Sequence, residues 1–382
     1  MILFLHNRYR TTGGEERAIE DLLWLVREQL GEDAELLTRD SASSGRGRAS
    51  AGLLNGGLAP EQVAQAVRRT GARVVHAHNL NPSFGWRALA AAREAGARTV
   101  LHLHNYRLVC AVGTCFTQGG DCTRCHGRNT APGVRHNCRG TVGQAAVYGA
   151  ALALWQRRLA AHVDRFVTPS AYAAQRLREL GAPVGDIAVL PTPMRSMATR
   201  SQAGAGSYAL VASRLSPEKG VDTAIDACRR AGVALVVAGD GPQAEELRAQ
   251  TAGADVRFEG LVAADRLAEL RADAALAIVP SRCAEVFPLA AVEALAAGVP
   301  LVATRVGGIP ELAPPGALVA ADDAGAMAVA ISARYGDERA GDEGRARIAA
   351  IAAPEAVAPA LAAIYDGLGG SCRQRGLMKP VS

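Results

Sequence analysis

Two glutamates, Glu285 and Glu293, flank a run that reads Val-Phe-Pro-Leu-Ala-Ala-Val. Pro288 suits the first turn of a helix, where its missing N–H removes no hydrogen bond. That puts Glu285 in the loop ahead of the helix and Glu293 on its second turn. A helix N-terminus offers free N–H groups and a positive dipole end, which suits a diphosphate. Carboxylates at those two places can each accept hydrogen bonds from hydroxyls; the same pattern also fits an amphipathic helix with solvated Glu. Upstream, Arg214 and Lys219 follow a short apolar run, so two cations stand where one strand ends and the next helix starts. Arg gives a forked, planar contact to a diphosphate and Lys a point charge. Lys219 is one of two lysines, with Lys379, beside 40 arginines.

The first half carries a different chemistry. All eight His lie between His6 and His162, and five of eight Cys lie between Cys110 and Cys138. His104 ends the apolar run at 100–104 and so belongs at the strand end that faces a cleft. His102 alternates onto the same face, where packing is the simpler role. His78 and Asn79 end the preceding apolar run and are candidates for contacts to an acceptor. Cys110, Cys122, Cys125 and Cys138 follow C-x11-C-x2-C-x12-C, a spacing that suits tetrahedral structural zinc. Cys115, His126 and His136 are spare ligands. Reduced thiols, or disulfides in an oxidising compartment, are the alternatives. Cys228, Cys283 and Cys372 are isolated.

These residues need elements to hold them. The spacing predicts strands at 2–6, 73–78, 99–104 and 166–169, with helices at 15–30, 63–70, 88–95, 142–161 and 171–180. Residues 110–140 interrupt this rhythm as a long irregular excursion. Residues 196–207, rich in Ser, Ala, Gly and Thr, read as a linker. Strand and helix then alternate again, with strands at 208–212, 234–238, 256–259, 275–279 and 300–304. Two such series predict an α/β chain of two doubly wound, Rossmann-like domains, 1–195 and 205–350, facing a cleft. A last helix at 355–370 is expected to pack back on the first domain.

Taken together, several motifs carry a resemblance. In the second half they are Arg214-x4-Lys219, Gly239-Asp-Gly-Pro242, Phe258-Glu-Gly260, Pro280-Ser281 and Glu285-x7-Glu293. In the first they are His6-Asn7, Gly13-Gly14-Glu15, His76-x-His78-Asn79 and His102-x-His104-Asn105-Tyr106. Over nearly its whole length the chain resembles glycosyltransferase family 4, retaining enzymes of the GT-B fold that use nucleotide sugars, and within it the subgroup of capsular and exopolysaccharide clusters. The resemblance implies that Arg214 and Lys219 bind the donor diphosphate and steady the leaving group, so that no catalytic metal is needed. It implies that Glu293 holds the ribose and that Glu285 holds donor-sugar hydroxyls, beside the N–H groups of Phe287 and Leu289. Pro288 stands where many relatives have Gly. Glu259 and Leu261 fall where the base stacks, and Gly13 and Gly14 would let the first loop approach the phosphate or the sugar. His104 would stabilise oxocarbenium-like charge on the donor sugar. Thr192, between Pro191 and Pro193, replaces the Asn expected after the last strand of the first domain.

Composition narrows the class. At 382 residues, 49% hydrophobic and 21% charged, the chain is an ordinary globular one. No membrane-spanning helix and no signal peptide are expected, which predicts a cytoplasmic protein. Residues 1–200 hold 25 basic and 15 acidic side chains, the remainder 17 and 22. The basic half predicts peripheral contact with an anionic membrane at its inner face, through arginines at 124–139 and 157–165. Nucleic acid is not an expected partner, because no aromatic residues interleave with the arginines. The expected activity is sugar transfer from a nucleoside diphosphate to a hydroxyl of a glycan, lipid-linked or small-molecule acceptor. The alternative is an inactive nucleotide-sugar-binding or scaffold protein.

Overall fold

In the computed structural model, which describes residues 1–9, 13–41 and 45–369, two six-stranded parallel sheets lie in sequence. The first comprises β1 (Ile2–Arg8), β2 (Ala34–Asp40), β3 (Val74–Ala77), β4 (Arg98–His102), β7 (Arg165–Thr168) and β8 (Ile187–Val189), in the order β2-β1-β3-β4-β7-β8. Between β4 and β7 runs a two-residue-strand hairpin, β5 (Phe116–Thr117) and β6 (Gly120–Asp121). The second sheet comprises β9 (Ala209–Ala212), β10 (Leu235–Ala238), β11 (Val256–Gly260), β12 (Leu276–Val279), β13 (Leu301–Thr304) and β14 (Leu318–Val319), in the order β11-β10-β9-β12-β13-β14. Ile2, Leu3, Phe4 and Leu5 are all wholly buried, as a strand covered on both faces must be.

Helices cover both faces. In the first half they are α1 (Gly14–Trp24), α2 (Arg46–Asn55), α3 (Pro60–Thr70), α4 (Gly85–Glu94), α5 (Ala131–Arg135), α6 (Val142–Ala161) and α7 (Ala171–Glu179). In the second they are α8 (Val221–Ala231), α9 (Ala244–Ala249), α10 (Ala264–Ala272), α11 (Leu289–Ala296), α12 (Ile309–Leu312) and α13 (Ala324–Arg334). α14 (Glu338–Ala352) and α15 (Pro354–Asp366) close the described chain. Side-chain oxygens of Thr141 and Ser170 cap α6 and α7 by accepting from Gln144 and Ala173 N–H. α15 leaves the second domain and packs into the first: Val357, Leu361 and Tyr365 are buried with Ile2, Phe4, Leu22 and Val26. Burying each such side chain stabilises the fold by about 1.5–3 kcal/mol.

Several expectations need correction. β4 ends at His102, so His104 is a loop residue two positions beyond the strand, not its last member. Pro288 is the N-cap of α11 at ψ 99°, ahead of the first turn rather than in it. β2, α2, β8 and β14 are elements that the spacing did not predict. The segment Glu338–Asp366, contrary to expectation, is long and apolar enough to cross a membrane by length and composition. Its helix breaks where Ala353 turns extended (ψ 149°) ahead of Pro354, and the α15 half is packed on the first domain. Cys372 and Lys379 lie outside the described residues.

Candidate active site

Each sheet has one place where the strand order reverses, and in doubly wound folds ligands settle in the crevice there. In the second sheet it lies between β9 and β12. The chain leaving β9 carries Arg214 and Lys219, and the chain leaving β12 carries Ser281 and Glu285. In the first sheet it lies between β1 and β3, and the exits of those strands carry Gly13, Gly14, His78 and Asn79. Topology alone thus collects most of the sequence-predicted residues at one cleft.

Lys219 Nζ donates to Glu285 Oε1 at 2.5 Å, and Ser281 Oγ donates to the same oxygen at 2.7 Å. Burial would raise the Glu285 carboxyl, yet the Lys219 ammonium and these hydrogen bonds hold it below its ordinary value. Burial would likewise lower the Lys219 ammonium, and Glu285 outweighs it and raises it. Both groups are therefore charged at neutral pH. Two glycines make the geometry possible. Gly220, at φ +64°, lies where a Cβ would meet Pro280 O at 2.1 Å, and Gly307, at φ +59°, where one would meet Glu285 N at 2.3 Å. Cys283 is buried beside this pair, and burial keeps it a neutral thiol. Arg214 is exposed and has no ion pair among the described residues.

α11 begins at the cleft, and the N–H groups of Leu289 and Ala290 have no intrahelical acceptor. Gly14, the first residue of α1, faces that start: a Cβ on it would stand 2.9 Å from Leu289 Cδ1. Two helix N-termini thus meet across the cleft, beside a cation. Gly13 is the N-cap of α1, and its N–H donates to Glu16 Oε2 at 2.9 Å. Glu293 holds two arginines that the spacing did not single out: Arg17 of α1 at 2.6 Å, and buried Arg271 of α10. Arg17 is three residues past Gly14 on a helix known to start there, a signal that only the domain pairing gives meaning. Phe287 is half-buried beside the α11 start. Glu259 pairs with Arg257 at 2.9 Å, and Leu261 is 87% exposed past the edge strand β11. The structure places these two away from the Lys219–Glu285 pair, with no contact to it among the described residues.

Five histidines line the first-domain side. His78 Nδ1 and His104 Nε2 share a hydrogen bond of 2.8 Å, and His102 stacks on His104 at 4.2 Å between ring centroids. His76 stacks on His78 at 4.7 Å and bonds Tyr365 of α15 at 2.7 Å through Nδ1. Burial lowers all four pKa values, that of His76 to about 3, so the stack is neutral at pH 7. His6 lies 3.5 Å from Glu16 and 3.9 Å from Glu15. Asn79 has its amide committed: it donates to Asn7 O at 2.7 Å and accepts from Asn81 N–H at 3.1 Å. It therefore clamps the ends of β1 and β3. Thr192 is buried.

Beside His104 opens a narrow pocket that the sequence did not suggest, walled by Trp86, Trp155, Leu152, Tyr148 and Leu53. Asn105 and Glu15 stand at its polar end, joined through Tyr9, whose hydroxyl donates to Glu15 at 2.8 Å. A second, small pocket is lined by Cys110, Cys115, Cys122, Cys125 and Cys138, with His136. None of these cysteines is in a disulfide.

Comparison with known proteins agrees with this layout. Residues 16–193 match the family described as glycosyl transferase 4-like domain, and residues 206–337 match glycosyl transferases group 1. An exopolysaccharide phosphotransferase of Streptomyces coelicolor is 35% identical over 188 residues, 46% of this chain and 20% of that protein. D-inositol 3-phosphate glycosyltransferase of Acidothermus cellulolyticus is 32% identical over 260 residues, 57% of this chain and 55% of that one. The chain thus spans from a fifth to about half the length of these relatives. HepE of Anabaena, solved with UDP and glucose, superposes with a TM-score of 0.67 at 18% identity, over 96% of this chain and 99% of that one. With two glycosyltransferase domains matched in order, on two Rossmann-like sheets whose strand ends meet at one cleft, the chain belongs to the family 4 glycosyltransferases of the GT-B fold.

Proposed function

We propose that this chain transfers a sugar from a nucleoside diphosphate sugar to a hydroxyl acceptor, with retention of anomeric configuration. The observation that carries the reading is the Lys219–Glu285 pair, set where two helix N-termini meet. The ammonium and the carboxylate satisfy one another. A bound donor would give each a better partner: diphosphate oxygens for Lys219 and exposed Arg214, sugar hydroxyls for Glu285. The free N–H groups of Phe287 and Leu289 add neutral donors. Glu293 would take the ribose hydroxyls once half-exposed Arg17 is displaced, while Arg271 keeps its charge compensated.

Transfer breaks the bond between C1 and the phosphate oxygen and forms one from C1 to the acceptor oxygen. The acceptor proton goes to the departing phosphate oxygen. Negative charge grows on the diphosphate, and Arg214, Lys219 and the two helix ends stand ready to stabilise it without a catalytic metal. Positive charge grows on the sugar, and His104, neutral and oriented by His78, faces it with a lone pair. The acceptor enters from the aromatic-walled pocket, whose polar end holds Asn105 and Glu15. A sugar or glycan with an apolar aglycone, such as a lipid-linked acceptor, fits that division. These are reactions of a cytoplasmic enzyme, where nucleotide sugars are made.

HepE with UDP and glucose supports the donor class, and the mannosyltransferases of Mycobacterium tuberculosis among the relatives are described as GDP-mannose-dependent, so the base is open. A thermal-shift panel of UDP-, GDP-, ADP- and TDP-sugars tests the reading, followed by proton NMR of the product anomer. One donor should raise Tm by several degrees through mass action and give a product of the donor's own anomeric form. Inversion, or no shift with any nucleotide sugar, overturns it.

A further inference from the structure

The excursion from Cys110 to Cys138 has little apolar core of its own. Its buried apolar side chains are Ala111, Cys115 and Cys125, and its regular structure is a two-residue hairpin and the five-residue α5. Three of its non-glycine residues, Cys115, Gln118 and Asn137, adopt positive φ, a conformation costly enough to need external support.

The structure brings five cysteines of the excursion to one pocket. Gly113 N–H donates to Cys110 Sγ at 3.3 Å, and the N–H groups of Ala111 and Gly133 lie against Cys125. Backbone N–H groups aimed at sulfur compensate the negative charge that thiolate ligands retain. Cys115 differs from the other four. It is 1% exposed and belongs to the apolar core of the first domain with Leu108 and Val109, its thiol hydrogen-bonded to that of Cys110. That leaves Cys110, Cys122, Cys125 and Cys138, with His136 also lining the pocket and no carboxylate among its lining residues.

A rival lies elsewhere. Among the described residues, His76, His78 and His102 form the group whose ligand atoms all fall within 4.8 Å of one another. Their rings are stacked with 12–27° between planes, so their in-plane lone pairs run side by side and do not converge. The thiols line one cavity, and metal binding would draw their sulfurs closer together than they now stand.

We propose that Cys110, Cys122, Cys125 and Cys138 form a structural zinc site that braces one wall of the acceptor pocket. The link to that wall is direct. Gln156 of α6 donates to Leu108 O at 2.8 Å and to Gly127 O at 2.9 Å, and Thr130 Oγ1 donates to Gly149 O at 2.7 Å. Tyr148, Leu152 and Trp155 of the same helix line the pocket, as does Leu108. Zinc would be remote from the donor side, so its removal should leave nucleotide binding intact.

The test uses the full chain, purified under reducing conditions and analysed for metal by mass spectrometry. The expected content is about one zinc per chain, released to a chromophoric chelator as four thiols are modified. Cys115→Ser should keep the metal, and Cys122→Ser should lose it. Chelation with TPEN should lower Tm by several degrees while UDP or GDP binding, by calorimetry, changes less than twofold. Should Cys122→Ser fail to fold, the wild-type thiol titration decides alone. No zinc after reconstitution under TCEP, disulfides among the four cysteines by mass spectrometry, or equal metal loss in Cys115→Ser would each overturn the assignment.

Discussion

The two sides of the cleft are built from opposite materials. The second domain meets it with fixed charge: Lys219 on Glu285, Arg271 on Glu293, and Arg282 on Asp222. The first meets it mostly with a neutral stack of imidazoles and an aromatic pocket, with Glu15 at the pocket's polar end and Arg17 reaching across to Glu293. A diphosphate is a strong, localised anion, and a preformed set of cations and helix ends repays its desolvation. A developing oxocarbenium ion and a neutral hydroxyl call for lone pairs and shape. The contrast also shows why a ligand for the first-domain face is harder to name: a pocket of apolar walls admits many ligands, whereas two cations at a switch point admit few.

The contrast can be broken at its strongest point first. Lys219→Ala should reduce turnover by about 10³-fold, and Glu285→Ala comparably, with both variants folded by circular dichroism. His104→Ala should reduce turnover by about 10²-fold. His78→Ala, which removes only the 2.8 Å bond that orients His104, should lower kcat more than it raises donor KM. Equal losses in kcat and KM would make His78 a mere packing residue.

Acid should act on the first domain before the second. The buried histidines have lowered pKa values in the fold and titrate near 6.5 once unfolded. The unfolded chain therefore binds more protons below pH 6.5, and stability falls as pH drops through that value toward the folded ones. For His76, at about 3 in the fold, the loss by pH 5 is about 2 kcal/mol. Tm measured from pH 7.5 to 5 should fall steadily, and His76→Asn should flatten the slope; an unchanged slope would contradict it. A smaller effect belongs to Arg17, which is half-exposed on Glu293. Arg17→Ala should lower donor KM by up to about fivefold, since an exposed ion pair is worth up to about 1 kcal/mol.

The smallest effect concerns the basic surface. Several arginines expected to meet a membrane are spent internally: Arg128 on Ala153 O, Arg139 on Ala111 O and the Tyr148 ring, Arg165 on Asp186. What remains exposed is Arg124 and Arg135 of the excursion and Arg157 and Arg158 of α6, with exposed Leu154 on the same helix. Flotation with anionic vesicles should show weak binding that high salt reverses, with none to neutral ones. Equal behaviour with both lipids removes the membrane from the account.

The alternation of apolar runs and amphipathic helices made both sheets legible, because parallel strands buried on two faces read as unbroken Val, Leu, Ile and Ala. The elements it missed lack that signature. β2 is an edge strand, half-buried along most of its length, with neither alternation nor a continuous apolar run. α2 is polar and holds two glycines, and it exists through tertiary contact, Trp155 Nε1 donating to Leu53 O and Leu54 O. In the site, the charged residues were legible because their types are tied to a task. Arg17 and the aromatic pocket were not, since each depends on elements brought together from distant sequence: Trp86 from α4 and Trp155 from α6, at 5.9 Å between rings.

Calorimetric titration with the nucleoside diphosphate of the preferred donor compares the wild type with Lys219→Ala and His104→Ala. Removing Lys219 should weaken binding by at least about tenfold, the worth of one charge-assisted contact to a phosphate, while His104→Ala binds as the wild type does. Undiminished affinity in Lys219→Ala, or equal weakening in both, would contradict the division of the cleft into a charged donor side and a neutral acceptor side.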